Sequence, residues 1–205
     1  MAAKIILSDQ ELALMQDQQW ILTKQQITEK IYNLFGAQVP VIETALPHLA
    51  VVEPNWKRVP AKIYKGESYR RFPYVMLDYP RLFSGDDALA IRTLFWWGHF
   101  ISVSVQLSGK YKRFFNARNG PAAWQSQWLL WTHETPWEHD LESFPVIEWK
   151  IQHREACAAA IRQLPYIKLT TRLSLENWQQ WETQLGEAYR QIGTWINCPG
   201  DETDL

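Results

Sequence analysis

Residues 91–109, IRTLFWWGHFISVSVQLSG, constrain the fold more than any other part of the sequence. They are rich in β-branched and aromatic residues, which favour strands. Gly98 and His99 interrupt the run, and a glycine at the first central position is typical of a two-residue type II′ turn. The sequence therefore predicts a β-hairpin in which Trp97 lies opposite Phe100.

This predicted register sorts the side chains into two faces, because successive residues of a strand point to opposite sides. The first face is mainly apolar and is expected to face the core: Arg92, Leu94, Trp96, Ile101, Val103 and Val105. The second combines aromatic rings with small polar groups: Thr93, Phe95, Trp97, Phe100, Ser102, Ser104 and Gln106. It is interpreted either as a surface half covered by a helix or as the floor of a ligand pocket.

The N-terminal region predicts a long helix. Ser8 and Glu11 have the spacing of a capping box, and Gly36 is a typical C-terminal stop. Four prolines between residues 37 and 60 predict at most a short helix followed by an irregular connection. Short strands are expected at residues 62–65 and 74–78, followed by a turn at Tyr79–Pro80 and a short helical turn at Asp86–Asp87.

The C-terminal third predicts two helices separated by a strand. The first helix ends before Pro165, and the strand covers residues 166–173. Ser174 is expected to cap the final helix, whose apolar stripe is Trp178, Trp181, Leu185, Ala188, Ile192 and Trp195. Upstream, residues 127–132 fit either a strand or a helix that also contains Trp124, and residues 119–121 predict a break.

Together these elements predict an α+β fold. We expect a mainly antiparallel sheet built around the hairpin at residues 91–107, covered by a long N-terminal helix and two C-terminal helices. The 205 residues show no internal repeat and no low-complexity linker. The sequence therefore predicts one domain over residues 1–198 and a short acidic tail at residues 199–205.

Composition excludes several classes of protein. The net charge of −1 argues against a protein that binds double-stranded nucleic acid, and no apolar run is long enough to predict a membrane span. Two cysteines do not form a disulfide scaffold, so a cytoplasmic location is expected. No nucleotide-binding loop is present, no cofactor is predicted, and formation of a homo-oligomer is left open.

Basic residues are concentrated in two segments. Residues 57–71 contain six Lys or Arg against Glu67 alone, and residues 110–118 add four more without an acid. These segments are interpreted either as solvated faces or as a positive rim around the aromatic face of the hairpin. Such a rim would hold an anionic small molecule or a single nucleic-acid strand.

Arg92 is the most specific candidate for a binding residue. On an apolar strand face its guanidinium requires a carboxylate, carbonyl groups or a bound anion. Asp78 could form a structural pair with it, or the segment from Asp78 to Arg81 could offer polar groups to a ligand. The predicted ligand-binding set is Asp78, Arg81, Arg92, Trp97, His99, Ser102 and Ser104.

Residues 133–140, HETPWEHD, form the one segment with a cluster of metal-ligand residue types. His133 and His139 are six residues apart with Pro136 between them, so one helix face cannot present both. No metal is therefore predicted, although ligation by the loop together with His153 is left open. The serines near His99 are not in a nucleophile elbow, so the sequence identifies no catalytic residue.

The leading hypothesis is a cytosolic protein that binds a small anionic or aromatic ligand on the aromatic and basic surface around the hairpin. One alternative is a metal-dependent hydrolase that uses residues 133–140. The other is a protein-interaction module that makes contact through exposed tryptophans.

Overall fold

A computed structural model of the chain describes residues 5–115 and 127–196. The predicted break at residues 119–121, Trp124 and the acidic tail lie outside the described residues. The helices are α1 (Asp9–Gln16), α2 (Gln18–Ala45), α3 (Leu49–Val52), α4 (Arg154–Gln163) and α5 (Trp181–Trp195). The strands are β1 (Lys62–Tyr69), β2 (Phe72–Ser84), β3 (Asp87–Trp96), β4 (Phe100–Ser108), β5 (Trp128–Trp131), β6 (Val146–Glu148) and β7 (Tyr166–Ser174).

Seven strands of the described residues form one antiparallel sheet in the order β1-β2-β3-β4-β7-β5-β6. The predicted hairpin is β3 and β4, which we call the central hairpin, and β4 is the middle strand of the sheet. This arrangement confirms the α+β class and the position of the hairpin at the centre of the sheet.

The register of the central hairpin differs from the prediction by one residue. Trp96, not Trp97, lies opposite Phe100, so the connecting loop contains the three residues 97–99. Gly98 has a φ of +75°, a conformation that such three-residue loops need. The amide of His99 donates to the carbonyl of Trp96 at 3.1 Å, which closes the loop, and the amide of Trp97 donates to the carbonyl of Pro73 of β2 at 3.1 Å.

This correction changes which residues of β3 and β4 share a face. One face combines the odd-numbered residues: Ile91, Thr93, Phe95, Ile101, Val103 and Val105. The other combines the even-numbered residues: Arg92, Leu94, Trp96, Phe100, Ser102, Ser104 and Gln106. The predicted separation of Trp96 and Arg92 from Ser102 and Ser104 is therefore wrong.

Helices α2 and α5 pack on the first of these faces, which we call the helix face. Phe35 of α2 and Ile192 of α5 are fully buried against it, and the hydroxyl of Tyr189 lies 2.7 Å from that of Thr93. The two helices approach closely because Gly193 has no Cβ, which would clash with the carbonyl oxygen of Ala45. This face contains most of the hydrophobic core.

The N-terminal helix begins where predicted but differs from the prediction by a break at Asp17 and at its C-terminal end. The Ser8 capping box is present, but α1 stops after Gln16, and Asp17 caps α2 through a bond from the amide of Trp20 at 2.9 Å. Helix α2 then continues through Gly36 and Pro40, so the predicted stop is wrong. Burial of apolar side chains on both sides of Pro40 outweighs the hydrogen bond that the proline removes.

Other local predictions gave mixed results. The strands at residues 62–65, 74–78 and 166–173 are confirmed, and residues 128–131 are a strand rather than a helix. Tyr79–Pro80 lies inside β2 at an irregularity of the ladder, and Asp86 lies in the tight β2–β3 turn, so the turn and the helical turn predicted there are wrong. Trp178 is 63% exposed in a 3₁₀ segment and does not join the buried stripe of α5.

Candidate functional site

The second face of the sheet is covered by residues 132–145, which we call the covering loop. An apolar cluster at one part of this face joins the sheet to the loop: Met76, Leu94, Trp96, Phe100, Trp131, Leu141 and Tyr166. Beside it, strand side chains of the same face are buried although they are polar: Asp78, Ser102, Ser104, Gln106, Lys168 and Thr170. We call these buried polar side chains beneath the covering loop the polar chamber, and they form the candidate functional site.

Arg92 and Asp78 form the centre of this chamber. Arg92 Nε donates to Asp78 Oδ1 at 2.6 Å and Nη2 donates to Oδ2 at 3.0 Å, so the pair is bidentate. The hydroxyl of Tyr64 also donates to Asp78 Oδ2, at 3.2 Å. The predicted Arg92–Asp78 pair is confirmed, while a role of these residues in ligand binding stays a prediction.

His139 of the covering loop is a second hydrogen-bond partner of the Arg92 guanidinium. Its Nε2 lies 3.2 Å from Arg92 Nη1, and since a guanidinium can only donate, Nε2 is the acceptor and Nδ1 carries the proton. Burial lowers the pKa of His139 well below its usual range, and the charges of Lys168 and Arg92 act in the same direction. His139 is therefore neutral near pH 7.

Lys168 of β7 connects the sheet to the covering loop. Its Nζ donates to the carbonyl of Pro136 at 2.9 Å and to that of Glu138, and it lies 4.1 Å from the ring centroid of Trp131. Burial lowers the pKa of Lys168 well below its usual range, Arg92 adds to this effect, and Glu138 opposes it. The lysine fixes the loop backbone over the sheet.

Tyr69 of β1 fixes the next part of the loop. Its hydroxyl accepts hydrogen bonds from the amides of His139 at 2.8 Å and Asp140 at 3.1 Å, and donates to Glu138 Oε2 at 3.0 Å. Burial raises the pKa of Tyr69 to about 12, so the hydroxyl keeps its proton. Side chains from β1, β3 and β7 thus determine the position of the covering loop.

A cavity of about 450 Å³ opens beside the chamber, between the covering loop and the β2–β3 turn. Its walls include Phe83, Gln106, Glu134, Pro136, Trp137 and Tyr166. Phe83 and Trp137 are 45% and 52% exposed, and their ring centroids lie 5.8 Å apart. Trp137 also lies 5.8 Å from the Arg92 guanidinium, so it joins the cavity to the polar chamber.

The structure brings together four of the predicted binding residues and separates the other three. Asp78, Arg92, Ser102 and Ser104 share the covered face.

Arg81 instead donates through Nε to the carbonyl of Pro60 at 3.0 Å. Trp97 packs on Phe95 of the helix face, and His99 stacks on Trp96 at 3.6 Å, beyond the end of β3. These three side chains therefore do not line the chamber.

The predicted positive rim is partly neutralised by ion pairs. Lys57 pairs with Glu43 at 3.0 Å, and Lys110 lies 3.8 Å from Glu53. Arg118 lies outside the described residues. Lys57 and Lys110 therefore join surface segments of the chain.

Sequence reasoning missed Lys168 and Trp137 as members of the site. The pattern of β7, YIKLTTRLS, contained a signal for Lys168, because alternation places it on the same face as Thr170 and Arg172. Trp137 lies in an irregular loop without periodicity, so no sequence pattern indicated its position.

Within the described residues, no group of three His, Cys, Asp or Glu side chains is placed to hold a metal ion. The ring of His133 instead accepts a hydrogen bond from the amide of Thr135 at 3.2 Å. The geometry thus adds no support to the metal-dependent hydrolase hypothesis.

The described part of the chain contains no helix with the length and apolarity needed to cross a bilayer.

Neither a family model, a curated protein nor a solved structure matches this chain.

The buried neutral His139 predicts that the fold loses stability in acid. The unfolded chain takes up a proton at this residue near pH 6.5, whereas the folded protein does so only at lower pH. The free energy of unfolding should therefore fall below about pH 6.5, by up to about 1.4 kcal/mol per pH unit from this group. Replacing His139→Gln, which keeps an acceptor for Arg92, should reduce the loss between about pH 7 and pH 5.

Urea denaturation at the two pH values measures this loss. The exposed His48 provides a matched control, and His48→Gln should retain the wild-type dependence on pH. An equal loss of stability in the wild type and in His139→Gln would show that another group causes it.

Proposed function

We propose that this protein binds a small molecule with a planar aromatic group in the cavity beside the covering loop. The observation that carries the proposal is the pair formed by Phe83 and Trp137, whose rings remain about half exposed at the wall of the cavity. Exposed aromatic rings beside a concave surface provide the stacking contacts that planar ligands require.

The cavity wall favours the aromatic ligand class over the anionic one. Its polar contributors include Gln106, which offers both a donor and an acceptor, and the acidic residues Asp86 and Glu134. The walls include no Lys or Arg of the described residues. A neutral or cationic ring system therefore fits the cavity better than an anion, because the guanidinium of Arg92 beside Trp137 is already paired with Asp78.

The fixed position of the covering loop supports tight binding. Lys168 donates to the carbonyl of Pro136, and the hydroxyl of Tyr69 accepts from the amides of His139 and Asp140, which holds the loop in place without a ligand. A preformed wall reduces the ordering cost of association. We also propose a cytoplasmic location, in line with the free thiol of Cys157.

Ligand-observed NMR with a panel of planar heteroaromatic fragments, such as indoles and quinolines, tests the proposal. We expect at least one fragment to bind and Trp137→Ala to weaken its binding by about fivefold or more, since stacking on one ring contributes about 1–3 kcal/mol. The matched control is Trp178→Ala, because Trp178 is also more than half exposed but does not line the cavity. The absence of binding, or equal binding by Trp137→Ala, would contradict the proposal.

A further inference from the structure

Residues 5–22 form a segment whose apolar side chains are not covered by the rest of the described chain. We call it the N-terminal arm; it contains α1 and the first turn of α2. Nine of its large apolar side chains are exposed, among them Ile5, Ile6, Leu12, Met15, Trp20 and Leu22. No residue of α1 is buried, and the first buried residue of α2 is Ile31.

An arm of this composition is unusual for a monomer. Monomers rarely expose contiguous apolar patches larger than a few hundred Å². Nine side chains at these exposures present on the order of 1,000 Å², which is comparable to the roughly 800 Å² that each partner buries in a stable interface. An eight-residue helix such as α1 also needs packing against another surface to be stable.

The charge of the arm indicates what this other surface is. The arm contains Asp9, Glu11 and Asp17 and no Lys, Arg or His. An acidic helix with exposed apolar side chains is complementary to a basic surface that also offers apolar contacts.

The same chain carries such a basic surface on the hairpin of β1 and β2, which we call the edge hairpin. Lys62, Lys65, Arg70 and Arg71 are exposed there, and β1 is an edge strand of the sheet. Glu67, the one acid among residues 57–71, is already paired with Lys24 at 2.7 Å. Arg70 lies 3.6 Å from Glu138 of the covering loop, so Lys62, Lys65 and Arg71 carry most of the available positive charge. None of the ion pairs of the described residues joins the arm to this hairpin.

A groove of about 470 Å³ makes the two surfaces continuous. It is lined by Trp20 and Ile21 of the arm, by Lys65 and Glu67 of the edge hairpin, and by α2 residues that include Lys24 and Glu29. The base of the arm and the basic hairpin therefore form one interface-sized surface, with an apolar acidic part and a basic part.

We propose that two copies of this chain form a dimer by reciprocal exchange of their N-terminal arms. The arm of each copy packs on the edge hairpin and groove of the other. The same arm-to-hairpin contact therefore occurs twice, related by a two-fold axis. The apolar side chains supply the affinity, and the acidic and basic residues determine the register.

Sedimentation velocity over a concentration series tests the dimer. We expect a dimer for the wild type, weakened by added salt, and a dissociation constant at least a hundredfold higher for the double variant Leu12→Glu and Met15→Glu. The control is Val51→Glu, because Val51 is 64% exposed outside the arm, and this variant should remain dimeric. A wild type that stays monomeric up to roughly 100 µM overturns the proposal.

Charge reversal tests which surfaces meet. The variant Asp9→Lys, Gln16→Lys and Gln19→Lys makes the arm basic and keeps the capping residues Glu11 and Asp17. The variant Lys62→Glu and Lys65→Glu makes the edge hairpin acidic. Each variant alone should dissociate at least tenfold more readily than the wild type, because like charges then face each other.

Mixing the two charge-reversed variants should restore a heterodimer. In that pair the basic arm of one variant meets the acidic hairpin of the other, and the natural acidic arm meets the natural basic hairpin, so both contacts are complementary. Two variants that dissociate singly but fail to associate when mixed overturn the exchange. Dimers unaffected by either reversal overturn it as well.

Discussion

Replacing Arg92→Met is expected to reduce the free energy of unfolding by about 3–5 kcal/mol, because the Asp78 carboxylate is left buried without its partner. The Asp78 side chain is 7% exposed and that of Arg92 is 14% exposed, so solvent cannot replace the two bonds between them. The loss also removes the donor for His139 Nε2. Chemical denaturation monitored by circular dichroism measures the change.

Two further variants show that the loss comes from the unpaired charge. The double variant Asp78→Leu and Arg92→Met should regain a large part of the stability, because both charges are removed together. The exposed pair of Arg190 and Glu187 is the matched control, and Arg190→Met should cost less than about 1 kcal/mol. If Arg92→Met and Arg190→Met cost the same, the buried pair does not contribute as described.

Replacing Trp96→Ala is expected to cost about 3–5 kcal/mol of unfolding free energy, the usual range for a large aromatic side chain in a core. Trp96 is 2% exposed. It stacks on His99 at 3.6 Å and contacts Tyr69 and Phe100 on the covered face of the sheet. Its indole nitrogen donates to the carbonyl of Tyr69 at 3.3 Å, so the substitution also leaves that acceptor unpaired.

The control for this substitution is Trp178→Ala, which removes the same side chain from an exposed position. It should change the free energy of unfolding by no more than about 0.5 kcal/mol. A loss below about 1 kcal/mol for Trp96→Ala would mean that the covered face does not exclude solvent around this ring.

The geometry of the polar chamber depends on contacts that the sequence does not predict. The Arg92–Asp78 pair was predicted because a guanidinium on a buried strand needs a carboxylate, and the two residues are 14 positions apart on adjacent strands. His139 is 47 positions from Arg92 and lies in an irregular loop. Its approach to the sheet results from the bonds of Lys168 and Tyr69 to the loop backbone.

The sequence by itself determined the features that arise from neighbouring residues: the capping box of Ser8 and Glu11, the strand character of residues 91–107, and the antiparallel α+β class. Tertiary structure decided the register, because β3 is buried on both faces from Thr93 to Trp96. The consecutive apolar residues Leu94, Phe95 and Trp96 show no alternation with polar residues, so the sequence does not indicate where β3 ends and the loop begins. Tertiary structure also decided the continuation of α2 through Gly36 and Pro40, since the packing of Phe35 and Ile42 outweighs local breaking signals.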